Sequence, residues 1–176
     1  MLKPAIHVAA VCLLAGCGGG GAASFSAGPQ APAAAAPPPA ANAAPPAPNT
    51  PQNLTFTGLL NDVRVANGAG AVAFDSRLAA AAQGHANDML ANNYFSHTGR
   101  NGSSAGDRIT AAGYRWQTWG ENIAQGQQTE AEVMTAWTNS PGHHANNINP
   151  NFEDYGLGQA GNGSQRRWVL VLATER

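Results

Sequence analysis

Three short stretches in the second half of the chain decide its fold and its candidate site. They are Phe95-Ser96-His97-Thr98-Gly99, Gly120-Glu121-Asn122-Ile123-Ala124 and Ser140-Pro141-Gly142-His143-His144-Ala145-Asn146-Asn147. Each stretch places an ionisable side chain beside a residue that turns the chain or fixes a hydrogen bond. Two imidazoles and one carboxylate from separate segments can hold a divalent metal or exchange protons with a substrate. We therefore predict a convergent polar site if the three segments meet in space.

The order of these stretches resembles the CAP superfamily, which comprises the cysteine-rich secretory proteins, antigen 5 and the plant pathogenesis-related proteins. The bacterial secreted branch is the most similar part of it. The resemblance runs from about Leu59 to Thr174, and further segments carry it: Leu60-Asn61-Asp62-Val63-Arg64, the helical run 78–86, Gly156-Leu157-Gly158 and the closing strand 168–174. It implies a single α+β domain of the CAP type, a three-layer α-β-α sandwich.

In this family a cleft holds two histidines and two acidic residues. By motif, His97 and His143 match the histidines, Glu121 matches the first acid, and Ser140 stands in the place of the second acid. The resemblance therefore implies a cleft around His97, Glu121 and His143. Neutral imidazoles are common zinc ligands, so a divalent cation such as zinc is the candidate cofactor. Ser140 adds no charge, and we expect weaker metal binding than four strong ligands would give.

The neighbouring residues have more than one interpretation. Glu121 either binds the ion directly or accepts a hydrogen bond from an imidazole N–H and fixes its tautomer. Asn122 is expected to satisfy backbone groups of its own loop. His144 should point away from His143, because adjacent residues do not share a face. His85, on the apolar face of a predicted helix, is interpreted as a hydrogen-bonded core histidine.

Three classes of function fit this pattern, one of which is a purely structural spacer or adhesion domain whose cleft is vestigial. The first is a binding module, for which the resemblance suggests an envelope lipid, a glycan or a peptide as ligand. The second is a hydrolase, either metal-assisted with Glu121 as base or built from Ser140, His143 and Glu121 as nucleophile, base and orienting acid. The serine version lacks the Gly-x-Ser-x-Gly turn of many hydrolases. We expect a monomer and lean towards a protein that is not an enzyme.

Apart from Lys3, charged side chains are confined to the C-terminal two thirds of the chain. The chain has 176 residues and a formal net charge of -1, and no Lys, Arg, Asp or Glu lies between Pro4 and Asn61. Every basic residue after Lys3 is a single Arg except the pair Arg166-Arg167. Because no basic stripe is available to follow phosphates, nucleic acid is not an expected partner.

The N-terminus is typical of an exported lipoprotein. Lys3 precedes an apolar run at residues 6–14, which is too short to span a bilayer, and Leu14-Ala15-Gly16-Cys17 resembles a bacterial lipobox. We predict a signal peptide over residues 1–17 and lipidation of Cys17, which would anchor the protein to a membrane. The alternative is an ordinary signal peptide that ends near a cysteine. Gly18 rather than Asp follows the cysteine, which favours an outer membrane or the cell surface.

Residues 18–53 are rich in Ala, Pro and Gly and hold nine of the twelve prolines. Such a segment has too few bulky residues to bury, so we predict a disordered linker there and a CAP domain over residues 54–176. The chain has only two cysteines, Cys12 and Cys17. Since one lies in the signal peptide and the other is the lipidation site, the domain is expected to fold on an apolar core without disulfides.

Periodicity predicts four helices and two strands. Helices are expected at residues 57–66, from a cap at Asp75 or Ser76 onward, at 107–112, and from a capping box at Thr129 to a stop at Pro141-Gly142. Strands are expected at residues 155–160 and 168–174, joined by a glycine-rich turn. A strand at residues 70–74 or around Ile123 is only weakly indicated.

Overall fold

The computed structural model describes residues 51–176, with side chains from Thr55 onward. The signal peptide, the lipidation site and nearly all of the predicted linker lie outside these residues. The described part contains five α-helices, four strands and one short 3-10 turn at Gly163–Gln165. In chain order they are α1 (Pro51–Ala66), β1 (Ala73–Phe74), α2 (Ser76–Ala91), α3 (Ala105–Ala111), β2 (Trp116–Gln125), α4 (Glu130–Thr138), α5 (Pro141–Asn147), β3 (Asp154–Ala160) and β4 (Arg167–Glu175).

The four strands form one mixed sheet in the order β1-β3-β4-β2. Strand β4 lies inside the sheet and is antiparallel to both neighbours, whereas β1 pairs with β3 in parallel. Alternate residues of β4 enter two separate cores. Trp168, Leu170 and Leu172 pack with α1 and α4, and Val169, Val171 and Ala173 pack with α2 and α3. Helices on both faces of the sheet give three layers, which confirms the predicted α-β-α sandwich.

Two glycines of β3 allow α2 to lie directly on the sheet. A Cβ atom on Gly156 would lie 2.1 Å from the backbone nitrogen of Ala79, and one on Gly158 would lie 2.3 Å from that of Gln83. Any other residue would push the helix away from the strand. The Gly156-Leu157-Gly158 motif is therefore a packing requirement of the fold.

Some helix ends differ from those predicted. Helix α1 begins at Pro51 rather than at residue 57, so residues 51–53 are helical although their composition resembles the linker. Proline is tolerated there because the backbone N–H groups of the first helical turn make no hydrogen bond within the helix, so a residue without an N–H loses nothing. Helix α3 begins at Ala105, two residues before the predicted start, because Ser104 and Asp107 form a capping box.

The Pro141-Gly142 pair begins a helix and does not end one. Helix α4 stops at Thr138, and Pro141 is the first residue of α5, which the sequence analysis missed. Proline serves equally well as a helix breaker and as a first helical residue, so the pattern alone was ambiguous. Strand β2 is ten residues long although it was only weakly indicated. Its Gly120-Glu121-Asn122 centre lacks strand propensity and is held by contacts with other elements.

Candidate functional site

Glu121 is a buried carboxylate with both of its oxygens occupied. Its side chain, on β2, is only 2 % exposed. One oxygen accepts a hydrogen bond from Nη2 of Arg108 at 2.7 Å, and the other lies 2.8 Å from Nδ1 of His97. A buried carboxylate needs such partners to remain ionised. Glu121 thus has the geometry of a residue that orients an imidazole, one of the two roles considered above.

His97 is held from several sides and yet faces solvent. Its side chain is 56 % exposed, while its backbone carbonyl accepts a hydrogen bond from Nη2 of Arg108 at 3.1 Å. The Glu121 carboxylate accepts a hydrogen bond from Nδ1–H, so in the neutral ring Nε2 carries the lone pair. An exposed nitrogen with a fixed lone pair can ligate a metal or accept a hydrogen bond from a ligand.

Arg108 is the residue of this site that sequence reasoning missed. It extends from α3, where it also donates from Nη1 to the carbonyl of Ser103 at 2.9 Å. Its guanidinium neutralises Glu121, so the buried pair carries no net charge. An isolated arginine on a short helix gives no sequence signal of its partner, because the pairing depends on how α3 packs against β2.

The backbone of His143, on α5, is fastened to strand β2 by buried amides. Asn122 is buried and lies on strand β2, not in a loop as expected. Its amide donates to the carbonyl of His143 at 3.0 Å and to Oδ1 of Asn147 at 2.9 Å. Asn146 in turn donates to Oδ1 of Asn122 at 2.8 Å. These amides fasten α5 to β2 and thereby fix the position of His143.

The two predicted histidines lie within electrostatic reach of each other. Burial, and then the proximity of His97, lowers the pKa of His143 below its ordinary value. Ser140 precedes α5 as its N-cap residue but makes no side-chain capping hydrogen bond. Glu121 is paired with His97, whereas the serine-hydrolase alternative requires it to orient His143. His97 and Glu121 therefore contact each other and line one cleft, whereas His143 and Ser140 are not among the residues that line it. This pairing differs from that of a Ser-His-acid triad.

A cleft of about 410 Å³ opens beside His97. This volume is within the usual range for small-ligand sites. Its walls combine hydroxyl, amide and imidazole groups with one indole ring and the backbone of β2. The lining residues are His97, Thr98, Ser104, Ala105, Trp119, Gly120, Glu121 and Asn146.

The donor set fits a metal only in part. Within residues 51–176, no three His, Cys, Asp or Glu side chains are close enough together to hold an ion. Glu121 is already engaged by Arg108 and His97. His97 and His143 are thus the two residues that would hold a zinc ion, which would leave its other positions to water or a ligand. The zinc site stays a prediction.

Comparison with known proteins decides the family. Residues 57–172, about two thirds of the chain, match the model of CAP, described as the Cysteine-rich secretory protein family. The chain belongs to the CAP family. This confirms the family that the three stretches indicated, although both cysteines of the chain lie before the domain.

Relatives of known sequence and structure agree with this assignment. The uncharacterized protein YkwD of Bacillus subtilis is 40% identical over 60% of this chain, and the match covers 41% of YkwD. An extracellular protein containing a SCP domain, from Bacillus anthracis, is 28% identical with a TM-score of 0.65, over 73% of this chain and 45% of that one. An outer surface protein of Borrelia burgdorferi shares the fold, with 20% identity and a TM-score of 0.65 over 73% of this chain and 96% of that one. The chain spans less than half the length of YkwD.

Proposed function

We propose that the protein is an exported, lipid-anchored binding module whose cleft beside His97 takes a ligand of the cell envelope. One observation carries the proposal. His97 is 56 % exposed, yet its ring is held by a carboxylate whose side chain is only 2 % exposed. Burying this carboxylate costs desolvation free energy, which is spent on fixing a ring that faces solvent. The arrangement resembles the preorganised contact residue of a binding site.

Export is supported by the leader sequence and by the relatives, and lipid anchoring is supported by the leader sequence alone. The leader ends in Leu14-Ala15-Gly16-Cys17, and the Bacillus anthracis relative is described as extracellular. Within residues 51–176, no helix is long and apolar enough to cross a membrane. We place the domain at the outer membrane or cell surface, attached through lipid on Cys17.

Binding is favoured over hydrolysis by the state of Glu121. A general base must reach the substrate, and the Glu121 side chain is instead 2 % exposed, with its two oxygens turned to Arg108 and His97. Envelope lipid, glycan and peptide are the candidate ligand classes. A divalent cation held by His97 and His143 would add an electrophilic contact for such a ligand.

The cleft is tested by nuclear magnetic resonance on the full chain with ¹⁵N-labelled histidine and tryptophan. Envelope phospholipid, soluble glycan fragments and short peptides from the cell wall are added in separate titrations. We expect one class to shift the signals of His97 and Trp119 while those of His85 change little. If every class leaves His97 and Trp119 unchanged, the binding proposal is wrong.

The anchor is tested by membrane fractionation. Cys17→Ala should release the protein from the membrane fraction or leave an uncleaved precursor, because the thiol that receives the lipid is gone. The mature mass of the mutant and its distribution between membrane and soluble fractions are compared with those of wild type. Identical mass and identical fractionation would show that Cys17 carries no lipid.

A further inference from the structure

A third histidine lies directly behind the loop that carries His97. His85, on α2, is only 1 % exposed and packs edge-on against Tyr94, with ring centroids 6.2 Å apart. Its Nε2 lies 2.8 Å from the carbonyl oxygen of Ser96, the residue before His97. The expectation of a hydrogen-bonded core histidine is thus confirmed, and its partner is the site loop.

This contact fixes the tautomer of His85. A carbonyl oxygen only accepts hydrogen bonds, so Nε2 must carry the hydrogen. Nδ1 then holds a lone pair, and it is buried without a hydrogen-bond partner in the part of the chain that the structure describes. A buried nitrogen without a partner costs free energy that a leucine or methionine in the same place would avoid.

Together the contacts hold the exposed histidine by three points. His85 binds the carbonyl of Ser96, Arg108 binds the carbonyl of His97, and Glu121 binds the ring. Two of these three residues, His85 and Glu121, are buried polar or charged groups, and their burial costs free energy. Burial of this kind is expected where function, and not stability, selects the residue.

We infer that His85 is a positioning residue of the cleft, which holds the Ser96–His97 backbone so that Nε2 of His97 keeps one direction. This inference rests on the proposed binding function, because the direction of His97 matters only if His97 contacts a ligand. His85 thus has a role in the site, although the helical periodicity of the sequence places it on the apolar face of α2.

The test compares three substitutions in the full chain. His85→Leu and His85→Met remove the hydrogen bond but fill the core, whereas His85→Gln keeps an amide N–H at about the reach of Nε2. His144→Leu is the matched control, because His144 also has a buried Nδ1 without a partner among the described residues. Thermal unfolding, ¹⁵N histidine spectra and zinc titration are recorded for each.

We expect His85→Leu and His85→Met to change the thermal midpoint little, because loss of the donor to the Ser96 carbonyl is offset by removal of the unpaired Nδ1. The two ring nitrogens of His97 should lose their distinct signals. Zinc affinity at His97 should fall by about 10-fold or more, the usual effect of removing an outer support. His85→Gln should restore the His97 spectrum, and His144→Leu should leave it unchanged.

Unaltered His97 signals in both apolar variants would overturn the inference, and so would failure of His85→Gln to restore them. If the spectra behave as expected but wild type binds neither zinc nor any envelope ligand, the proposed function fails, and His85 is shown only to orient the His97 ring.

Discussion

At the scale of single residues, the site depends on one buried ion pair. Glu121 could be identified from its motif, as could His97 and His143, because each stands beside turn or amide residues in a short stretch. Arg108 could not, since its partner is thirteen positions away on another element. Local patterns show which groups carry chemistry, and packing decides which groups pair.

Replacing Arg108 with methionine should leave the Glu121 carboxylate buried without its cationic partner. We expect the free energy of unfolding to fall by about 3 kcal/mol, the scale for breaking a buried pair from one side. Urea unfolding measures this. Arg100→Met, at an exposed arginine, is the control and should change stability by less than about 0.5 kcal/mol. Equal effects of the two substitutions would contradict the buried pair.

Acid should destabilise the domain through its neutral histidines. Burial, and then the charge of Arg108, lowers the pKa of His85 below its ordinary value of 6.5, and burial does the same for His143. The unfolded chain therefore binds more protons than the folded one once the pH falls below about 6.5, and stability decreases there. Urea unfolding should give a lower free energy at pH 5.5 than at pH 7.5. His85→Met should remove part of this difference. If the difference is as large in that variant as in wild type, His85 does not contribute to the acid destabilisation.

At the scale of elements, α5 is the part of the site that sequence analysis misassigned. Its Pro141-Gly142 start also satisfies the pattern of a helix stop, and seven residues are too few to show helical periodicity. The structure holds this short helix with buried polar contacts. Asn122 ties it to β2, and Arg64 of α1 ties down its C-terminal end.

Arg64 is fully buried and binds carbonyl groups around the end of α5. It donates to the carbonyls of Asn147 at 2.7 Å, Asn149 at 3.1 Å and Phe152 at 3.0 Å. Arg64→Met would leave these acceptors buried and unpaired, so we expect a loss of about 3 kcal/mol in unfolding free energy.

Hydrogen exchange locates the effect of this substitution. Amides of α5 should exchange faster in Arg64→Met than in wild type, while those of β4 should change only with global stability. Arg115→Met, at an exposed arginine, is the control. A variant as stable as wild type, with protected α5 amides, would show that Arg64 does not hold the helix.

At the scale of the whole molecule, the three-layer architecture was predicted from the mix of helices with late strands and from the family resemblance. The apolar run of β4 predicts a strand, and the structure buries alternate residues of it in two cores. The Gly156-Leu157-Gly158 motif marks the strand on which α2 lies. Strand β2 was less visible because its central residues serve the cleft and not the core.

The domain should fold without the residues that precede α1. Removing residues 18–50 should leave the thermal midpoint of the unlipidated protein almost unchanged, because the segment has few bulky residues to bury. Residues 51–53 are kept since they belong to α1. A fall of several degrees would show that the segment packs onto the domain.

The central proposal is that His97, which lines the cleft, and His143, which lies within its electrostatic reach, form one binding site. Its most direct test is the shift in thermal midpoint on adding zinc to the metal-free protein, since an ion that binds the folded state stabilises it by mass action. We expect a rise at pH 7.5 that is lost in acid, because only the neutral imidazole can bind the ion. His97→Ala and His143→Ala should each remove most of the rise, and His144→Ala should remove little. No rise at neutral pH, or equal losses from His143→Ala and His144→Ala, would contradict the shared site.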